Sequence, residues 1–483
     1  MERLTLVLSV AIAALAYFAW QQTTLFDSFF LPSIRDVKAE LSQQLSQSSA
    51  LYIRGDSGFE AASERWENYA APQYQALVEP STEEDVQAVV KYANEHSLPF
   101  LTVGGGHAWT TKLKGAENGI GISLRKMKKT EMNTDGKSAR LGGGLKSGEA
   151  EKFFSSHGKR SLTGGCECTG MMGVALGGGH GLLQGQYGLL ADQILEARLV
   201  LANSTAVTVS ADENPDLYWA IRGAGQNFGI VTEYSYKVYD MPPVDNWVVM
   251  TFIYTNDKIE ELYREVNALT KNGTDPVVIQ RLIYEGLLAE VEKYAPPFRE
   301  LGPIFTNTQE VKYSGLSEAL GYAEDSVGCA RGSLFQGFPI TLQKYSLQAQ
   351  RAAYEKFDNL LANNEDFRRS WMIFEGYSHQ AVRKVNEEET SVADRLGNYI
   401  TSTSIMYSKA ENNALATRAG AEIRKILRDG SGEKNAQVYI GYGTGDEKTE
   451  EIYGYDEKRI QKLRELKKLY DPKGRFSFYA PIV

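Results

Sequence analysis

The chain has 483 residues, room for two or three domains, and 42% hydrophobic with 23% charged residues is the balance of a folded protein with a large core. A formal net charge of −9 and the lack of any dense Lys/Arg stripe exclude nucleic-acid binding through clustered positive charge. The cysteines, Cys166, Cys168 and Cys329, have no zinc spacing and are too few for a disulfide scaffold, so no metal is expected.

In chain order, residues 4–20 form an uninterrupted apolar run, intermediate between a secretory signal core and a short membrane span. The leading reading is a signal peptide with a cleavage step at Ala14-Leu15-Ala16; an uncleaved anchor and a buried helix are the alternatives. A secreted or membrane-anchored protein is expected, and the sequons Asn203-Ser204-Thr205 and Asn272-Gly273-Thr274 agree with glycosylation on that route. Residues 21–71 are polar and mixed and read as a lead-in. Thr82 caps a helix that opens on Glu83-Glu84-Asp85 and places Val86, Val89, Val90 and Ala93 at helical spacing. A short strand then runs to His107, further strands fall at 120–124 and 138–141, and a helix spans 147–157. A hairpin is expected over 195–209, then a helix capped by Asn214 with Pro215 in its first turn, then a half-buried strand over 228–239. Pro242-Pro243 marks a domain boundary. Helices follow near 259–269, 347–361 and 412–427, with a last one after Asp456 halted by Asp471-Pro472.

Three glycines, Gly104, Gly105 and Gly106, precede His107 and strip the backbone of side chains beside an imidazole on an exposed turn, which suits a bulky planar cofactor. Gly223-Ala224-Gly225-Gln226-Asn227-Phe228-Gly229 is not a dinucleotide fingerprint, because its order is helix, turn, strand. Its turn and the other glycine triplets still expose backbone donors suited to phosphate. For the cysteines, a disulfide from Cys166 or Cys168 to Cys329 and a thiol bonded to a cofactor both stay open.

Four ordered blocks carry a family resemblance: Val103-Gly104-Gly105-Gly106-His107; Gly165-Cys166 to Gly170 with Gly177-Gly178-Gly179-His180-Gly181; Arg222 to Thr232; and Leu469-Tyr470-Asp471-Pro472-Lys473-Gly474-Arg475-Phe476. On these, over residues 72–240 and from 453 onward, the chain resembles the berberine-bridge-enzyme-like branch of the vanillyl-alcohol-oxidase flavoproteins. The resemblance implies an α+β protein. A PCMH-type FAD-binding domain of two α/β subdomains spans 72–243 and is closed by the C-terminal segment 445–483, and an α+β substrate domain with an antiparallel sheet spans 244–444. It implies FAD bonded at 8α by His107, with a possible second bond from Cys166 to C6. It places the other cofactor contacts at Gly104, Gly105, Gly106, Gly170, Gly177, Gly178, Gly179, His180, Asn227, Gly229, Ile230 and Val231. The family's Tyr-x-Asn-Tyr strand becomes Tyr439-Ile440-Gly441-Tyr442 here, so Tyr442 is the expected base although Gly441 replaces the asparagine; a core tyrosine in a strand is the bland alternative. The implied function is an FAD-linked oxidase of a small organic molecule, plausibly a secondary metabolite, with dioxygen as acceptor. The alternatives are a carbohydrate oxidase making a lactone and a flavin-bound cyclase.

Overall fold

The computed structural model describes residues 34–269, 281–393, 395, 397 and 399–483. The apolar run at 4–20 and the sequon at Asn272 lie outside the described residues. Asn203 lies within them, exposed in a turn where its Oδ1 accepts from the Thr205 amide and hydroxyl. Among the described residues no helix is long and apolar enough to cross a membrane.

Capping chemistry builds the first layer. The Thr82 hydroxyl accepts from the Asp85 amide at 3.2 Å and the Asp85 carboxylate accepts from the Thr82 amide, so the helix Glu83–Glu95 starts where its first free donors are satisfied. Its apolar stripe, Val86, Val89, Val90 and Ala93, joins one core with Ala76, Val78, Ile120 and Ile122. Those residues belong to a four-stranded sheet in the order Ala50–Ile53, Ala76–Glu79, Ile120–Ser123, Phe100–Val103, whose first pair is antiparallel and whose others are parallel. Residues 34–71, the described part of the expected lead-in, therefore contribute to this sheet. Ala50–Ile53 is an edge strand, and it escapes sequence reading because four half-buried residues show no alternation.

A second sheet is wholly antiparallel, with Thr130–Met132, Ser138–Gly142, Ile230–Lys237, Ile194–Val200 and Ala206–Ser210 side by side. Ile230–Lys237 buries Ile230, Thr232, Tyr234 and Tyr236 and leaves Glu233, Ser235 and Lys237 half exposed, the alternation expected of it. The strand is shorter than 228–239, since Phe228 stays in the preceding turn and Tyr239–Asp240 pair with Lys159–Arg160 instead. Asn214 does not cap through its side chain. It sits in the left-handed region at φ 51° with its Nδ2 donating to the Thr208 carbonyl, and Pro215 opens the helix alone.

After Pro242-Pro243 two antiparallel sheets of three strands follow, Arg281–Glu285 / Trp247–Ile253 / Phe305–Val311 and Leu334–Leu342 / Tyr399–Tyr407 / Trp371–Gly376. The helix Asn413–Ser431 lies against Leu334–Leu342, and it can do so because Gly420 leaves room for the Phe338 ring. The C-terminal segment then returns to the first half of the chain. Asp471, fully buried, accepts from Lys467 and from the amides of Arg475 and Phe476, while Lys467 also donates to the Asn227 carbonyl. Asn227 completes the tie, its amide donating to Tyr453 and to the Ala480 carbonyl and its Oδ1 accepting from the Ile482 amide.

Asn227→Ala leaves the Ile482 amide buried without an acceptor and is expected to cost about 2 to 4 kcal/mol. The check is the thermal unfolding midpoint; an unmoved midpoint would mean that the tail is held by other contacts.

Candidate active site

Two glycine loops meet at the base of the site. A Cβ on Gly105 would strike the Gly170 nitrogen, and one on Gly170 would strike the Gly105 nitrogen, so the backbones touch only because neither residue has a side chain. One loop carries His107 and the other Cys166, and both line a cavity of about 1020 Å³. Gly104, Gly105, Gly106, Gly170, His180, Gly229, Ile230 and Val231 line it too.

The turn bearing His107 is not exposed. The Trp66 amide donates to the Gly106 carbonyl at 3.1 Å, Arg331 to Gly105 at 3.1 Å and Arg65 to Ala108 at 2.7 Å. Trp66 also stacks on the imidazole, centroids 5.4 Å apart. Burial holds the imidazole down to about 3, with Arg331, Arg65, Lys146 and Arg125 adding to the effect. His107 is thus a neutral imidazole, and its Nε2 is buried without a hydrogen-bond partner.

The cysteine alternatives resolve. Cys168 bonds Cys329, with Cα atoms 5.9 Å apart, and Cys166 stays free. Burial, reinforced by Glu375, pushes the Cys166 thiol up to about 12. The bridge is one stitch among several, for the segment around Cys329 also accepts from Glu167 through the Tyr322 carbonyl and from Trp66 through the Gly328 carbonyl.

Two expectations need correction. Gly177, Gly178 and Gly179 are absent from the cavity wall; they turn the chain behind it, Gly178 and Gly179 at φ 100° and 78° against Val392 and Leu190. Asn227 is absent from the wall as well, because its whole amide is engaged in holding the C-terminal tail. Its neighbours Gln226 and Gly229 do reach the cavity.

Tyr442, also on the cavity wall, lies in a single turn, Ile440–Tyr442, and not in a strand. Its hydroxyl donates to Glu375 at 2.7 Å, and the Tyr377 hydroxyl donates to the other oxygen of the same carboxylate at 3.1 Å. Burial raises Glu375 above the ordinary 4.5, against the pull of those two hydrogen bonds. Burial and then the Glu375 charge hold the Tyr442 phenol well above its usual 10. The Trp109 indole donates to the Tyr442 carbonyl at 2.8 Å and fixes the turn. His180 stacks on Tyr377 with centroids 5.7 Å apart and bonds Gln184 through Nδ1; burial, despite Gln184, keeps it down at about 4.

Sequence reasoning missed Glu375, Trp66, Arg65 and Arg331. Glu375 did leave a signal, a lone carboxylate closing the apolar run Trp371-Met372-Ile373-Phe374. The others sit in segments without periodicity.

The residues present fit a large flat dinucleotide such as FAD. A glycine-walled slot leads to a buried, unpartnered imidazole nitrogen in the cavity of about 1020 Å³. Residues 74–210 match the FAD binding domain family. The FAD-linked oxidoreductase chyH of Penicillium rubens is 38% identical, over 92% of this chain and 93% of its own. Among solved structures, BBE-like 1 of Physcomitrella patens has a TM-score of 0.80 at 23% identity, covering 94% of this chain and 100% of that one. A glucooligosaccharide oxidase of Acremonium strictum, described with a 6-S-cysteinyl, 8α-N1-histidyl FAD, has a TM-score of 0.77 at 20% identity, covering 92% of this chain and 98% of that one. At such identities the two structures share the fold.

Peptide mapping of the unreduced, unfolded chain should recover Cys168 joined to Cys329. A peptide joining Cys166 to Cys329 would overturn the assignment.

Proposed function

The chain belongs to the FAD-linked oxidoreductases, and from that premise we propose that it is an oxidase of a small organic alcohol, with its FAD tethered by His107 and Cys166 and its proton chemistry run by Tyr442 and Glu375. The observation that carries this reading is the hydrogen bond from Tyr442 to a buried carboxylate, in a cavity that also holds a neutral, unpartnered imidazole.

Each side chain has a role that follows from its surroundings. His107, clamped by Trp66, Arg65 and Arg331, presents a ring nitrogen whose lone pair stays unprotonated across the working pH range. Cys166 is the free thiol on the facing loop, because the bridge has engaged Cys168. Bound FAD supplies the acceptor for the hydride leaving the substrate carbon, and dioxygen is the proposed terminal acceptor.

Proton removal falls to the pair Tyr442 and Glu375. A phenol held above its ordinary range is a poor base on its own. Its hydroxyl already points at Glu375, so a substrate hydroxyl resting on the Tyr442 oxygen can give up its proton while Tyr442 passes its own to the carboxylate. Burial strengthens Glu375 for that task by raising its affinity for protons. Tyr377 holds the second carboxylate oxygen and orients the acceptor.

Acid precipitation of the purified protein should leave the yellow colour in the pellet, and His107→Ala should release it. Colour that washes out of the unsubstituted protein would remove the covalent claim. Tyr442→Phe should slow anaerobic flavin reduction by about 10²- to 10⁴-fold, the range of general acid–base catalysis. Ionised Glu375 is the form that takes the proton, so reduction should quicken as pH climbs through a value above 4.5, and Glu375→Gln should abolish that limb. Unchanged rates in both variants would put the base elsewhere.

A further inference from the structure

The sheet Arg281–Glu285 / Trp247–Ile253 / Phe305–Val311 ends on one side in a strand with a free edge. Among the described residues Phe305–Val311 pairs only with Trp247–Ile253, and five of its seven residues are exposed while the other two are half-buried. Such an edge offers a row of free N–H and C=O groups to any second strand, and proteins that keep an edge unpaired guard it with prolines, lysines, bulges or a covering element. Here Phe305-Thr306-Asn307-Thr308-Gln309-Glu310-Val311 has no proline and no lysine, its register with Trp247–Ile253 runs without a bulge, and its one charge, Glu310, is held back by the Asn246 amide at 3.0 Å. The edge strand Leu334–Leu342, by contrast, is almost wholly buried beside the helix Asn413–Ser431.

Exposed apolar side chains collect at both ends of this strand. At one end the Ile304 amide donates to the Ile253 carbonyl at 2.8 Å and Ile253 pairs with Phe305, so Ile253, Ile304 and Phe305, 40%, 67% and 52% exposed, lie together. At the other, Trp247 pairs with Val311, and the Asn246 amide bridges Glu310 and the Gly286 carbonyl, which sets Leu287 beside that end. Asp245, accepting from the Tyr313 amide at 3.0 Å, brings Val244 there too. Leu287 and Val244 are 55% and 65% exposed. Apolar groups in water at both ends of a free strand edge mark a surface that another molecule covers.

Residue order along the edge favours a second copy of this chain. A two-fold axis through Thr308 lays the second strand antiparallel to the first, with Phe305 opposite Val311, Thr306 opposite Glu310, Asn307 opposite Gln309 and Thr308 opposite its own equivalent. Apolar then meets apolar, amide meets amide, hydroxyl meets hydroxyl, and the single acid faces a hydroxyl, so no like charges are opposed. The same axis carries the end holding Ile304 and Phe305 of each copy onto the Val311 end of the other, which takes both apolar ends out of water. We propose that the edge Phe305–Val311 is a homodimer interface, where two copies join at Thr308 and their three-stranded sheets run on as one antiparallel sheet. None of the strand's residues lines the cavity, so this interface is separate from the site of FAD chemistry.

Sedimentation equilibrium of the purified holoenzyme, at concentrations up to about 100 μM, should show twice the mass of one chain. Thr308→Lys sets two ammonium groups against each other on the axis and should weaken association at least about tenfold, with flavin content, turnover and unfolding midpoint unchanged. Register is read by cross-linking. Opposed Cβ atoms stand about 4.5–5.5 Å apart, so Thr308→Cys should form a disulfide-linked dimer under mild oxidation, seen on a non-reducing gel, while Gln309→Cys, opposite Asn307, should not. A parent that stays monomeric throughout that range overturns the proposal, as does a dimer that Thr308→Lys leaves intact. Equal cross-linking of Gln309→Cys and Thr308→Cys overturns it as well, and the cysteine variants decide the matter even if Thr308→Lys fails to fold.

Discussion

Contact between two loop backbones at Gly105 and Gly170 is the constraint from which the rest of the site follows. Because the loops touch, His107 and Cys166 open into the same cavity although they stand 59 positions apart in sequence. Any side chain at either glycine would force the loops apart and separate the two candidate tethers. Around this contact the protein adds stitches from elsewhere: Trp66 and Arg65 from the N-terminal side, Arg331 and Cys329 from the far half. The nucleophiles stand on irregular backbone, and long-range contacts supply the rigidity that a strand or helix would otherwise give.

Charges of opposite sign act on His107 and on Tyr442. Four cationic side chains act on His107, while Glu375 is the charge acting most strongly on Tyr442. Both histidines on the wall, His107 and His180, are held neutral by burial. The carboxylate and its two phenols are then the hydrogen-bonded acid–base cluster of the wall. Such pairs are costly in a dry interior unless every oxygen is engaged, and here both Glu375 oxygens are.

Much of this was legible in the chain. Thr82 with Asp85, Pro215, and the alternation through Ile230–Lys237 are local signals, set by neighbours within a few residues, and the corresponding elements stand where those signals put them. The glycine blocks and their histidine marked the cofactor end for the same reason. What stayed hidden depends on distance. Nothing near Asn227 says that its amide closes on residues 480 and 482, nor that the glycines at 177–179 face backward, nor which cysteine Cys329 would choose. Trp66 looked like part of a polar lead-in because its partner, the His107 ring, is supplied by another loop. Tyr442 lines the cavity from a turn where a strand was expected, and Gly441 fits there because a Cβ would strike the Tyr439 ring.

The closing segment carries one more consequence. Phe476, Phe478 and Tyr479 form part of the cavity wall, and the knot at Asn227 is tied by residues 480 and 482. Loosening that knot would open the slot along one side, so the grip on a bound dinucleotide depends on hydrogen bonds made more than 200 positions away in sequence.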